Sequence, residues 1–220
     1  MLEVIAQSVE DAKAIELGGA DRIELVSAIS VGGLTPSYAM VEEVVKAVYI
    51  PVNVMIRPHG YHFNYKTDEL KVMKRDMELL QDLGINGFVL GVLDGKKVDT
   101  RALEYLLENI KCQVTFHRAI DETNVVESFK ALSKIDKITQ ILTSGGPGKA
   151  YDHQDILDQL YEIAPEKLLL GSGITINNMS DLLEKYPQAG YHIGSDARVN
   201  QTFSNRIDEN HIRMIVDLMK

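Results

Sequence analysis

Gln113-Val114-Thr115-Phe116-His117-Arg118-Ala119-Ile120-Asp121 decides how this chain is read. Val114 and Phe116 alternate with Gln113, Thr115 and His117, so a strand here has one apolar face and one polar face. It runs into an imidazole, a guanidinium and a carboxylate, and a new helical pattern starts near Asn124. A polar strand face ending in three ionisable groups suits the floor and rim of a pocket better than an ordinary core. Taken alone, His117 and Asp121 could equally cap a strand-to-helix turn. Repetition of the arrangement elsewhere in the chain favours the pocket.

Working outward, Leu2–Ala6, Arg22–Ser27, Pro51–Ile56 and Gly87–Gly91 read as strands before this segment. Lys137–Thr143, Lys167–Leu170 and Tyr191–Gly194 read as strands after it. Helical patterns fill the intervals at Ser8–Leu17, Ser37–Val48, Thr67–Leu83, Asp99–Ile110, Asn124–Ser133, Asp152–Ala164, Asn178–Lys185 and Asp208–Met219. Ser8 is a good N-cap, Gly18-Gly19 a helix stop, and Pro36 is placed to open the helix after it. Strand then helix, eight times with short connections, implies a parallel sheet closed as a TIM-type (β/α)8 barrel, an α/β fold occupying residues 1–220 as one domain. An open doubly wound sheet is the rival, but no G-x-G-x-x-G follows the first strand.

Composition narrows the function classes. A formal charge of −9, with no Lys/Arg cluster, argues against nucleic acid or an anionic membrane as partner. One cysteine, Cys112, forbids an intramolecular disulfide and suits a reducing compartment. No stretch approaches the roughly 20 apolar residues of a membrane span, and the first residues read as a strand rather than a signal peptide. The expectation is a cytoplasmic protein.

Active sites of such barrels lie at the C-terminal ends of the strands. Reading those ends gives Glu24, Arg57, His117 and Asp121 as candidates for acid–base chemistry and anion binding. Asn53, Arg118, Ser144, Gly145 and His192 are candidate ligand contacts on the same ends or faces. Gly171-Ser172-Gly173 and Gly194-Ser195, with Arg198 beyond, suggest a phosphate cradle, because glycine lets backbone N–H groups approach an anion. The alternative is that these polar groups satisfy one another in a filled barrel and that the glycines serve tight turns. No lysine ends a strand, which argues against imine chemistry, and no G-x-S-x-G elbow occurs. No H-x-x-x-H or C-x-x-C spacing supports zinc, and no residue is assigned as a metal ligand from spacing. The loop Pro58–Lys66, with His59, Tyr61, His62, Phe63 and Tyr65, reads as a lid or a dimer contact.

Gly19-Ala20-Asp21-Arg22-Ile23-Glu24-Leu25, Gly32-Gly33-Leu34-Thr35-Pro36-Ser37, Val54-Met55-Ile56-Arg57-Pro58, Phe116-His117-Arg118-Ala119, Ile141-Leu142-Thr143-Ser144-Gly145-Gly146 and Gly171-Ser172-Gly173-Ile174 resemble the signature blocks of the CutC copper homeostasis family. The blocks fall in the family's order along essentially the whole chain. The resemblance implies a TIM-like barrel, a cytoplasmic location, a homodimer, and a role in copper handling with copper(I) as ligand. Family members often carry cysteine after Ile-Glu-Leu; Val26 stands there in this chain. Copper(I) prefers thiolate and thioether donors. The residues themselves point to a small anionic ligand, so a copper ion and a small phosphorylated or carboxylated substrate remain the two expectations.

Overall fold

The computed structural model describes residues 1–220 and contains a closed barrel of eight parallel strands. They are β1 (Leu2–Ala6), β2 (Arg22–Leu25), β3 (Val52–Met55), β4 (Gly87–Leu90), β5 (Gln113–Phe116), β6 (Ile138–Thr143), β7 (Leu168–Leu170) and β8 (Gly190–Ile193). Each neighbours the next in sequence, and β8 returns to β1 with Leu2 opposite Tyr191 and Val4 opposite Ile193. Closure leaves no unpaired edge. The helices that cross between strands are α1 (Val9–Gly18), α2 (Tyr38–Ala47), α3 (Thr67–Leu80), α4 (Thr100–Leu107), α5 (Val125–Leu132), α6 (Gln154–Ile163) and α7 (Ile176–Lys185), and α8 (Glu209–Leu218) follows the last strand.

The alternation expected from the sequence sorts side chains between two regions. Leu2, Val4, Ile23, Leu25, Val54, Phe88, Val114, Phe116 and Ile141 are fully buried in the large cluster that also takes the inner faces of the helices. Burying such a side chain is worth about 1.5–3 kcal/mol. The intervening residues Glu3, Glu24, Asn53, Thr115, His117 and His192 are buried too: Glu3 and Glu24 meet His192, and Asn53 meets Thr115. A second, small cluster of Ile5, Val26, Met55 and Val89, joined by Ile29 and Phe203, gives the interior its apolar patch.

Local chemistry sets the helix ends. Ser8, Ser37, Asp99, Asn124 and Asp208 each accept from a backbone N–H in the first turn of the helix that follows. The buried Lys74 crosses from α3 to the end of α4, where Nζ donates to the carbonyls of Tyr105, Leu106 and Glu108. Lys167 does the same for Ser133 and Ile135 after α5. A cation placed on the last carbonyls satisfies groups that the helix leaves unpaired.

Several element boundaries differ from the sequence reading. The third helix ends at Leu80 and tightens into a 3-10 turn, Gln81–Leu83, before the left-handed Gly84. Gly95-Lys96 is the turn of a small antiparallel ribbon, Leu93–Asp94 with Lys97–Val98. The short helix α7 starts at Ile176 rather than Asn178, because Thr175 and Asn178 form a capping box.

Candidate active site

At the C-terminal end of the strands a cavity of about 370 Å³ opens among Glu24, Met55, Arg57, Phe63, His117 and His192, with Ser172, Gly173 and Ser195 on its rim. Its floor is an ion network. Glu3 Oε2 accepts from Arg22 Nε at 2.5 Å, and Arg22 also reaches Gln140 across the barrel. Glu3 Oε1 lies 2.7 Å from His192 Nδ1, and His192 Nε2 lies 3.8 Å from Glu24 Oε2. Burial works against the charge on Glu3, but Arg22 and His192 overcome it and hold the carboxyl below its ordinary value. Burial likewise opposes a charged His192, yet Glu24 and Glu3 raise its pKa. Glu24 behaves in the opposite sense to Glu3: burial outweighs the attraction of His192 and, with the negative charge of Glu3, pushes it up to about 7.

The opposite wall is His117, at the end of β5. Its Nδ1 accepts from the Ala119 N–H at 3.2 Å, so the ring hydrogen sits on Nε2, which is buried without a partner. Burial and the charge of Arg57 push its pKa down to about 3, so the imidazole is neutral. Gly91 makes room for this ring; a Cβ there would lie 2.4 Å from His117 Nδ1. Arg57 extends from the end of β3, and its Nη1 donates to the carbonyls of Val31 and Gly33, while Nε is buried and unpartnered. Gly32 has φ +91°, and a Cβ there would approach Arg57 Nη1 to 2.9 Å, so the loop needs glycine twice over. Phe63, from the aromatic loop, covers both groups: its ring centroid is 4.6 Å from Arg57 Cζ and 4.9 Å from the His117 ring.

The remaining predicted residues divide by position. Arg118 reaches the cavity but is held by Asp121 at 2.8 Å, Ser144 Oγ at 2.9 Å and the Gly148 carbonyl. Asp121 is not a cavity acid. Its carboxylate is consumed by Thr143 Oγ1, the Ser144 N–H and hydroxyl, and Arg118, so it and Ser144 brace the strand ends. Asn53 sits deeper, accepting from Asn86 at 2.7 Å and facing Thr115. Gly145 packs on His153, and Gly171 on Leu142 and His192. Ser172 takes φ +73° and donates to the Gly148 carbonyl.

Arg198 corrects the expected cradle. Its guanidinium is turned into the protein, paired with Asp11 Oδ2 at 2.5 Å and donating to the carbonyls of Asn205 and Ile5. The sequence placed it beside glycines, but an acidic residue on α1 is the partner that decides its direction. The N-terminus of α7 is held by Asp196, whose Oδ2 accepts from the Ile176 N–H at 3.0 Å and lies 2.9 Å from His211 Nε2. A carboxylate thus stands on the helix end that would serve a phosphate, and cation support for an anion falls to Arg57.

Glu3, Arg22, Phe203 and Asp196 are absent from the sequence reading of the site. Glu3 and Arg22 carry a signal, since each is the polar member of an otherwise apolar strand alternation. Phe203 and Asp196 have none, because loop placement sets them.

The donors fit copper(I) poorly. Glu3, Glu24 and His192 offer ligand atoms within 4.8 Å of one another. These are oxygen and nitrogen donors, already balanced by Arg22. Met55 brings the one thioether of the cavity wall. Cys112 lies just before β5, at the other end of the barrel, where burial raises its thiol pKa. Soft donors are what copper(I) selects.

Fold and site together define a (β/α)8 barrel with a polar, partly covered pocket at the strand C-termini. A model of the CutC family matches residues 1–195, and this chain belongs to that family. It is 37% identical over 198 residues to the copper homeostasis protein cutC homolog of Homo sapiens, covering 87% of this chain and 72% of the relative. A CutC family protein of Proteus mirabilis is 31% identical over 244 residues, covering 99% and 96%. Among solved structures, a CutC protein from Streptococcus agalactiae superposes with TM-score 0.77 at 27% identity over 87% of this chain and 97% of that one. Phosphoribosyl anthranilate isomerase from Thermococcus kodakaraensis gives 0.66 at 14% identity over 100% and 98%, a likeness of fold alone.

Proposed function

We propose that this CutC-family barrel is an enzyme that binds a small anionic metabolite and acts on it by acid–base chemistry. One observation carries the reading: Glu24 Oε1, Arg57 Nε, His117 Nε2 and Asp196 Oδ1 are all buried without partners on the residues that line one cavity. Each such atom costs about 1–3 kcal/mol unless something meets it. Groups that satisfied one another in an inert barrel would not leave four orphans at one place. Arg57 supplies the charge for the anion, and Glu24 and His117 supply two titratable groups whose environments drive their pKa values apart. The test is a thermal-shift and calorimetric screen of small carboxylates and phosphates against the wild type and Arg57→Ala. Binding that the variant loses supports the reading, and no binding at millimolar concentration by the wild type overturns it.

The relatives' name favours a second reading, in which the protein handles copper(I) as cargo. Met55 and His192 are the donors the cavity offers to it, with Cys112 the only thiol of the chain. An anaerobic competition titration against a chromophoric copper(I) chelator decides this. Tight stoichiometric binding lost in Cys112→Ser or His192→Gln establishes the copper reading; weak, non-stoichiometric binding removes it. A cytoplasmic location and a homodimer complete the proposal. No helix is long and apolar enough to cross a membrane. The 88% exposure of Tyr61 on the aromatic loop offers a dimer contact, which sedimentation of Tyr61→Ser tests.

A further inference from the structure

We propose that the cavity transfers a proton at the carbon beside the ketone of a small 2-oxo carboxylate: Arg57 holds the carboxylate, Glu24 takes the proton, and the Nε2–H of His117 holds the oxygen of the resulting enolate. This rests on the enzyme reading above and names its substrate class and reaction.

The choice of carboxylate follows from Arg57. Its Nη1 is spent on the Val31 and Gly33 carbonyls, so the edge carrying the unpartnered Nε is the one left to present. A guanidinium edge meets a planar carboxylate with two parallel hydrogen bonds. Phosphate is disfavoured on the other rim, where Asp196 occupies the N-terminus of α7 and Arg198 faces Asp11. The choice of a ketone follows from His117. Its tautomer is fixed by the Ala119 N–H on Nδ1, so Nε2 can only donate. A neutral imidazole that donates from a buried position stabilises a developing oxyanion without losing its own proton. Glu24 is the base because its Oε1 is free and 3% of the residue is exposed, while Glu3 is locked between Arg22 and His192. A carboxylate that lines the cavity with one oxygen unpartnered is placed to take and return a proton. His192, resting on Glu3 and facing Glu24, positions that base.

The step balances without a co-reactant. Glu24 carboxylate forms an O–H bond with the proton of the carbon next to the ketone. The C–H electron pair becomes the carbon–carbon double bond, and the carbonyl π pair moves onto oxygen, where His117 Nε2–H donates to it. Return of the proton from Glu24 to carbon restores the ketone. Phe63, over both Arg57 and His117, keeps water from the enolate.

The probes are 2-oxobutyrate as ground state and oxalate as a planar mimic of the enolate. Binding of both is measured by calorimetry, and deuterium entry from D2O at C3 of 2-oxobutyrate by proton NMR. The wild type is expected to exchange C3 at least about 100-fold faster than buffer and to bind oxalate at least about tenfold more tightly than 2-oxobutyrate. Glu24→Gln should lose exchange by about 100-fold or more while still binding oxalate. His117→Asn keeps an acceptor for the Ala119 N–H, but its shorter amide places no N–H where Nε2 stood, and it should bring the two affinities together. Binding of both probes by the wild type with neither exchange nor preference for oxalate overturns the proton-transfer proposal and leaves the anion pocket standing. Failure of the wild type to bind either probe overturns the 2-oxo carboxylate assignment, and the wider anion screen then decides the reading beneath it. The wild-type measurements decide the matter even where a variant fails to fold.

Discussion

Glu3 Oε1 and His192 Nδ1 meet at 2.7 Å across the seam where β1 and β8 close the barrel. The same carboxylate holds Arg22 at 2.5 Å, so one fully buried acid answers a buried guanidinium and an imidazole whose pKa it helps to raise. Glu3→Ala should therefore cost about 3–5 kcal/mol in urea unfolding, because it strands the buried Arg22 cation and leaves His192 Nδ1 without its partner rather than merely deleting a contact. A loss below about 1 kcal/mol would mean that water or Glu24 replaces the missing charge.

Glu24 gives a pH dependence of definite sign. Its folded pKa, about 7, lies above the unfolded value, so the stabilisation is present in full below the unfolded pKa and is lost as pH rises through about 7. At roughly 1.4 kcal/mol for each pH unit separating the two pKa values, the ceiling on this loss is about 3 kcal/mol. Glu24→Gln should flatten the decline between pH 5 and 8 in a series of urea titrations. An unchanged slope would assign the decline to other groups.

Phe63 should control how dry the Arg57–His117 corner is. Phe63→Ala opens that corner to water, and the His117 pKa should climb from about 3 toward its ordinary value. A proton NMR titration of the imidazole reads this directly. A pKa that stays near 3 would show that the barrel wall, not the loop, does the shielding.

Gly91→Ala should displace His117, since the new Cβ would come within 2.4 Å of Nδ1 and 2.9 Å of Ala119 Cβ. The expected cost is about 1–3 kcal/mol of stability, as for other overpacked interiors. Loss of anion binding should accompany it. Wild-type stability in thermal unfolding would mean that the ring moves aside freely.

Much of the site was legible in strand alternation. Glu24, Arg57, His117 and His192 lie on polar strand faces and at strand ends, and a barrel turns those faces inward, so naming the faces was enough to bring these residues to one cavity. The same logic read one residue further would have found Glu3 and Arg22. Arg198 and Asp121 show where the logic stops. Both follow strands in loops, where period-2 alternation no longer applies, and a charged side chain there turns to whichever partner is nearest. For Arg198 that partner is Asp11, 187 residues away; for Asp121 it is the Thr143–Ser144 backbone and hydroxyls.

The sequence by itself determined the barrel, because the strand and helix periods, the caps and the glycine stops are local properties of consecutive residues. It also determined which residues face inward, since alternation along a strand is fixed once the outer face is apolar. The tertiary structure alone decided what those residues are. Glu3 and Glu24 are chemically alike, and both are buried on the same polar faces. One is held ionised by Arg22 and His192, while the other is pushed to about 7 by burial. The difference lies in distances between strands that closure brings together, and no segment of the chain carries it alone.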